Sequence, residues 1–273
     1  MSAAGDDILG VARDGGVATI TLNRPERLNA WTTPLELRYA AALRELAADP
    51  EVRAVVVTGA GRGYSAGWDM EELRDVSGSG ERADDSAESI AVGATLAFPK
   101  PLVAAINGSC AGLGLAQALA CDLRFARAGA KLTTSYAKIG LIAEDGTSWL
   151  LPRIVGHARA LDLLLSSRIV LAEEALEIGL VHRVVPADEL LDAALGYARE
   201  LATSCSPAAM ATIKRMLRAH ATVDVATALR ESRTMALATL TQHDFREGVA
   251  AFGERRPPRF EGLAADLDGE GAT

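Results

Sequence analysis

"PLVAAINGSCAGLGLAQALACDLRFA", residues 101–126, carries the reading of the fold. "PLVAAI" is an apolar run closed by Asn-Gly, which reads as a buried strand ending in a turn. A glycine-rich turn follows, then an apolar helix, and "CDLRFA" returns as a strand. Strand, turn, helix and strand in so short a span is an α/β signature. "CAGLGLA" (110–116) sits where a strand ends and a helix opens. A helix start offers backbone N–H groups without internal partners, at the positive end of the helix dipole. "SAGWD" (65–69) is placed in the same way. If two such loops lie side by side, two N–H groups can grip one oxygen and form an oxyanion hole. The glycines serve tight turns equally well.

Working outward, "VATITL" (17–22) alternates as a strand does, and "RAVVVTG" (53–59) is a near-continuous apolar run that reads as a buried one. Between them "TPLELRYAAALRELAAD" has helical spacing, with Thr33 as N-cap, Pro34 at the first helical position and Glu36 completing a capping box. "GAGRGYSAGWDMEEL" is a glycine-rich loop leading into a short polar helix. Residues 74–89, "RDVSGSGERADDSAES", read as a mobile surface loop. After about residue 155 the pattern becomes helical, with "LVHRVVP" (180–186) as the one late strand. The expected organisation is an α/β core over 1–190 and a helical region over 191–273. Several late helices are Ala-rich and need a partner to bury their apolar faces.

Composition removes some functions. The 273 residues are 49 % hydrophobic, enough for a sizeable core, and the net charge is −8. An acidic chain does not suit a non-specific nucleic-acid binder. The cysteines, Cys110, Cys121 and Cys205, are odd in number and lack a CxxC. The histidines, His157, His182, His220 and His243, are isolated, so no metal-ligand spacing emerges. "MSAAGDDILGVARDGG" lacks the basic-then-apolar pattern of a signal segment, and no apolar run reaches membrane-spanning length. A reduced, cytoplasmic setting is expected, with no nucleic-acid or membrane partner.

Three motifs have competing readings. "GYSAG" (63–67) matches the nucleophile elbow GxSxG, but that motif needs a strand running straight into the serine. "GAGR" intervenes here, so a serine hydrolase is a remote alternative. "GAGRG" (59–63) loosely resembles a dinucleotide loop but lacks an apolar helix directly behind it. "LIAEDGTSWLLPR" (141–153) places Glu144 and Asp145 in apolar company. A buried carboxylate is costly unless paired or used. Asp-Gly at 145–146 marks either a plain surface turn or a turn that aims an acid into a site.

"TLNRPERLNAW" (21–31), "GYSAGWDMEEL" (63–73), "INGSCAGLGLAQALACDLRFA" (106–126), "LPRIVGHARALDLLLSSRIVLAEEALEIGLVHRVVP" (151–186) and "DFREGVAAFGERRPPRF" (244–260) together resemble the crotonase superfamily, the enoyl-CoA hydratase/isomerase group. The resemblance implies a spiral of ββα units followed by a helical trimerisation region, as a homotrimer or dimer of trimers. It implies an acyl-CoA thioester substrate, with fatty acid metabolism as a setting, and no cofactor beyond the coenzyme A of the substrate. Carried onto this chain, the oxyanion-hole donors are the N–H groups of Trp68 and Leu113, flanked by Gly112 and Gly114. Ser65, Ala66, Gly67 and Asp69 would run along the pantetheine and adenine, and Arg24 and Arg27 would meet phosphates. Arg255 and Arg256 are further phosphate candidates, each also readable as a solvated charge.

The sequence departs from the family at its acids. The hydratases of the group use two glutamates, and the matching positions here hold Ala116 and Tyr136. Relatives including dienoyl-CoA isomerases and an aryl-CoA dehalogenase carry an essential Asp where Glu144 stands. Glu144 is therefore the expected acid–base residue, desolvated by Leu141, Ile142 and Trp149, while Tyr136 either lines the acyl pocket or donates a hydrogen bond. The expected function is an enoyl-CoA hydratase/isomerase acting through a thioester enolate. The alternative is an acyl-CoA binder that lost catalysis with its glutamates.

Overall fold

The computed structural model describes residues 8–79 and 89–263. Two antiparallel strands open the chain, β1 (Leu9–Asp14) and β2 (Val17–Leu22), followed by α1 (Thr33–Ala48). A repeating unit then appears. β3 (Ala54–Gly59) and β4 (Gly63–Ser65) precede α2 (Met70–Ser79) and α3 (Ile90–Ala97). β5 (Leu102–Ile106) and β6 (Ser109–Ala111) precede α4 (Leu113–Ala120). β7 (Leu123–Arg127) and β8 (Lys131–Thr133) precede α5 (Thr147–Val155) and α6 (His157–Ser166). Then come β9 (Val170–Leu171), α7 (Ala172–Glu177) and β10 (Arg183–Val185). Each unit gives its first strand to one sheet and its second to another. The larger sheet has the order β1-β2-β3-β5-β7-β10 and the smaller β4-β6-β8-β9. This is a ββα spiral of class α/β.

Side-chain alternation explains how one strand serves two layers. In β3, Val55 and Val57 face the main core, which also holds Trp31, Leu35 and Leu43, while Ala54 and Val56 face the other way. That second face is covered by α8 (Leu190–Ser204) through Leu190, Ala194, Ala198 and Ala202. A four-residue spacing puts these on one helix stripe. α8, at the start of the expected helical region, packs on the sheet because the sheet has a second apolar face to cover.

Three other expectations are corrected. The N-cap of α1 is Thr32, whose side chain accepts from Leu35 N. Glu36 does not close a capping box: it is buried and accepts from Ala91 N (3.0 Å) and Ser89 Oγ (3.3 Å), so its charge serves the start of α3. Helix α2 extends to Ser79, so 74–79 is not loop, and residues 80–88 of that expected loop lie outside the described residues. The late part of the chain holds β9 as well as the expected β10.

Beyond α8 come α9 (Pro207–Ala219), α10 (Val225–Thr239) and α11 (His243–Glu254). α10 buries none of its residues. Leu217, Val225, Leu229, Val249 and Phe252 are exposed, Phe252 by 89 %. Among the described residues no helix is long and apolar enough to cross a membrane.

Candidate active site

The smaller sheet decides the site. β4 and β6 are parallel neighbours, pairing Gly63 with Ser109 and Ser65 with Cys110. Two parallel strands that end together release their following loops on the same side. "SAGWD" and "CAGLGLA" therefore emerge side by side. A Cβ built on Gly67 would lie 3.0 Å from Ala111 O and 3.5 Å from the Gly112 Cα. Gly67 has φ +96° and Gly112 φ +48°, backbone that L side chains rarely adopt. The two glycines thus permit both the turns and the close approach. Gly114 packs against Ser65, and Leu113 is the buried first residue of α4.

Trp68 is held in a parallel bridge with Trp31. Trp31 N–H donates to Gly67 O at 2.7 Å and Asp69 N–H donates to Trp31 O at 2.8 Å. In such a bridge the neighbours of Trp68 supply the bonds, and its own N–H points away from Trp31. Ala66 is exposed beside it, and Ala66 N–H donates to Leu28 O.

Arg24 and Arg27 make bonds within the chain. Arg24 Nη1 donates to Ala30 O (2.7 Å) and Nη2 to Asp69 Oδ2 (3.0 Å). Arg27 pairs with Glu71 at an exposed position. Burial works against the Asp69 charge, but the Glu71 N–H bond and the Arg24 guanidinium outweigh it and hold the carboxyl below its ordinary range. Arg256 is clasped by Glu247 and Glu254, and Arg255 ends α11 in the left-handed region. Ser65 is fully buried and its Oγ accepts from Gly67 N–H, while His182, His220 and His243 contact Arg124, Glu231 and Asp244. No serine–histidine pair forms among these contacts, which removes support from the elbow reading.

The remaining candidate acid lies in the turn before α5. Asp145 (φ +55°) and Gly146 (φ +68°) turn the chain, Thr147 N–H donates to Glu144 O, and α5 begins. Glu144 and Asp145 each turn one oxygen, Oε1 and Oδ2, out of solvent contact. Tyr136 is buried, with its hydroxyl 3.1 Å from Thr147 Oγ1. Desolvation pushes the phenol pKa up; the Thr147 bond opposes this, and the charges of Asp145 and Glu144 add to the rise. Tyr136 therefore stays protonated at neutral pH, close to both carboxylates. Asp145 acts on it more strongly than Glu144. Ala116 is buried in α4 and brings no titrating group. Of the apolar residues expected to cover Glu144, Leu141 is half-buried, while Ile142 is 78 % and Trp149, on α5, 40 % exposed.

Sequence reasoning missed Asn29. It is buried, accepts from Arg24 N–H, and donates from Nδ2 to Ala60 O and Gly63 O, tying the 24–31 segment to the loop before β4. An amide inside "RLNAW" was the available signal.

The fold and paired loops define a ββα-spiral protein with two glycine-bounded loops side by side, each leading into a helix. The chain belongs to the enoyl-CoA hydratase/isomerase family, whose model matches residues 12–263. It is 38 % identical to 1,2-epoxyphenylacetyl-CoA isomerase of Escherichia coli K12 over 90 % of this chain and 95 % of that protein. It is 32 % identical to 4-chlorobenzoyl coenzyme A dehalogenase-2 of an Arthrobacter species over 98 % of each. The crystal structure of an enoyl-CoA hydratase from Bacillus anthracis superposes with a TM-score of 0.86 at 30 % identity, covering 94 % of this chain and all of that one. These relatives make the chain an acyl-CoA-processing enzyme of that family.

Proposed function

We propose that the enzyme isomerises an enoyl-CoA through a thioester enolate, with Trp68 and Leu113 N–H groups holding the oxyanion and Glu144 moving the proton. The observation that carries this is the contact of Gly67 with Gly112, which sets the two donors' loops against each other. Removing a proton from a carbon conjugated with the thioester puts negative charge on the carbonyl oxygen. Backbone donors aimed there stabilise that charge, and they leave the side chains at 68 and 113 free to vary. One carboxylate can take a proton from one carbon and return it to another, so a site with Ala116 and Tyr136 at the other two positions suits isomerisation better than two-acid hydration. Tyr136, kept protonated, is a hydrogen-bond donor beside the acid. Coenzyme A enters as part of the substrate, and the reaction asks for no further cofactor.

The test is turnover of a panel of enoyl-CoAs in D₂O. Movement of the double bond with exchange at the proton-transfer carbons is the expected result. Tight acyl-CoA binding with neither turnover nor exchange on any of them would instead establish a non-catalytic binder.

The assembly proposed is a trimer or a dimer of trimers, supported by the uncovered apolar side chains of α9–α11. Sedimentation is expected to give three or six times 28.6 kDa. A monomer at micromolar concentration would exclude it.

A further inference from the structure

We infer that Arg24 and Asp69 are a positioning pair for the oxyanion hole, setting the direction of the Trp68 N–H rather than holding coenzyme A phosphate. This rests on the enolate reading above. The Trp31–Trp68 bridge has two rails, and Arg24 touches both. One arm of its guanidinium bonds the carbonyl of Ala30, next to Trp31 (2.7 Å). The other bonds the carboxylate of Asp69, next to Trp68 (3.0 Å). The second Asp69 oxygen accepts the N–H of Glu71 at 3.0 Å, so the carboxylate is fixed from the α2 side as well. The side chains are 18 % and 7 % exposed, so water screens the pair little.

A slip of the bridge would rotate the Trp68 peptide, because the bonds of Gly67 and Asp69 to Trp31 hold it on either side. The planar Arg24 fork spans both rails at fixed separation, and a lysine ammonium cannot reproduce that fork. Asn29 adds to the same end by holding Arg24 N–H and the loop at Ala60 and Gly63. These two bonds use one donor on each terminal nitrogen and hold the guanidinium plane toward the bridge.

The experiment uses Arg24→Lys and Asp69→Asn in the full chain, with an enoyl-CoA carrying ¹³C at the thioester carbonyl. Infrared difference spectra report how far the bound carbonyl band falls below its free position. Two aligned N–H donors polarise the carbonyl and lower the band. In the variants the band is expected to return part-way toward the free value. kcat should fall by roughly 10- to 100-fold, the scale of a misplacement of about 1 Å, with KM little changed. Circular dichroism and thermal melting establish that the proteins are folded; if Asp69→Asn does not fold, Arg24→Lys keeps the charge and decides alone. A full band shift and unchanged kcat with a raised KM would overturn the inference and return Arg24 to phosphate binding. No band shift in the wild type would remove the oxyanion reading itself, and the pair's role with it.

Discussion

Replacing Glu144 by Gln is expected to lower kcat by about 10²–10⁴-fold while acyl-CoA still binds, the usual contribution of a positioned general acid–base group. The amide keeps the shape of the side chain and most of its hydrogen bonding, and only proton transfer is lost. In the proposed role Glu144 acts from the turn that leads into α5, with its Oε1 turned out of solvent. Neither Ala116 nor Tyr136 can replace it: one does not titrate, and the other has its phenol pKa pushed up by burial and nearby carboxylates. The control is Asp145→Asn. Asn accepts the left-handed backbone of that position, φ +55°, so the turn survives the change. A smaller loss at 145 than at 144 is expected. Because Asp145 presses on the Tyr136 phenol more than Glu144 does, the two variants must be measured side by side. Wild-type turnover by Glu144→Gln would move the acid to Asp145.

Gly67→Ala is expected to cost roughly 10²–10³-fold in kcat, about the value of one oxyanion-hole donor. The new methyl would sit 3.0 Å from Ala111 O, at a φ of +96°. Such backbone strain costs on the order of 1–3 kcal/mol in an L residue. The cheapest relief is to move the 65–69 loop away from Gly112, which separates the two donors. Steady-state kinetics on folded protein checks this. Near-wild-type kcat would mean that the Gly67–Gly112 contact is not what sets the site.

The two loops were legible in sequence because glycine placement, strand ends and helix starts are local features. Their contact was not, since it depends on β4 lying next to β6, and nothing within "GYSAG" or "NGSCAG" announces that pairing. The crossed roles of charged residues were hidden for a similar reason. Arg24 finds Asp69, and Glu36 finds the start of α3 at Ala91, only once the helices and sheets are packed. Read locally, Glu36 is half of a capping box, and nothing near Arg24 in sequence points to Asp69. The apolar residues around Glu144 divide between the two readings. "LIAEDGTSW" reads as an apolar setting; one oxygen of each carboxylate is out of solvent, yet Ile142 is exposed and does not supply that cover. Sequence periodicity shows that α8 has an apolar stripe but not that the second face of the larger sheet receives it.

The most direct single measurement is a crystal structure with an unreactive acyl-CoA analogue. The thioester oxygen is expected within about 3 Å of both the Trp68 and Leu113 nitrogens, the distance at which backbone donors stabilise an oxyanion, with the neighbouring carbon facing Glu144. A thioester oxygen bound away from both nitrogens, with the acyl chain out of reach of the Glu144 turn, would contradict the proposed chemistry.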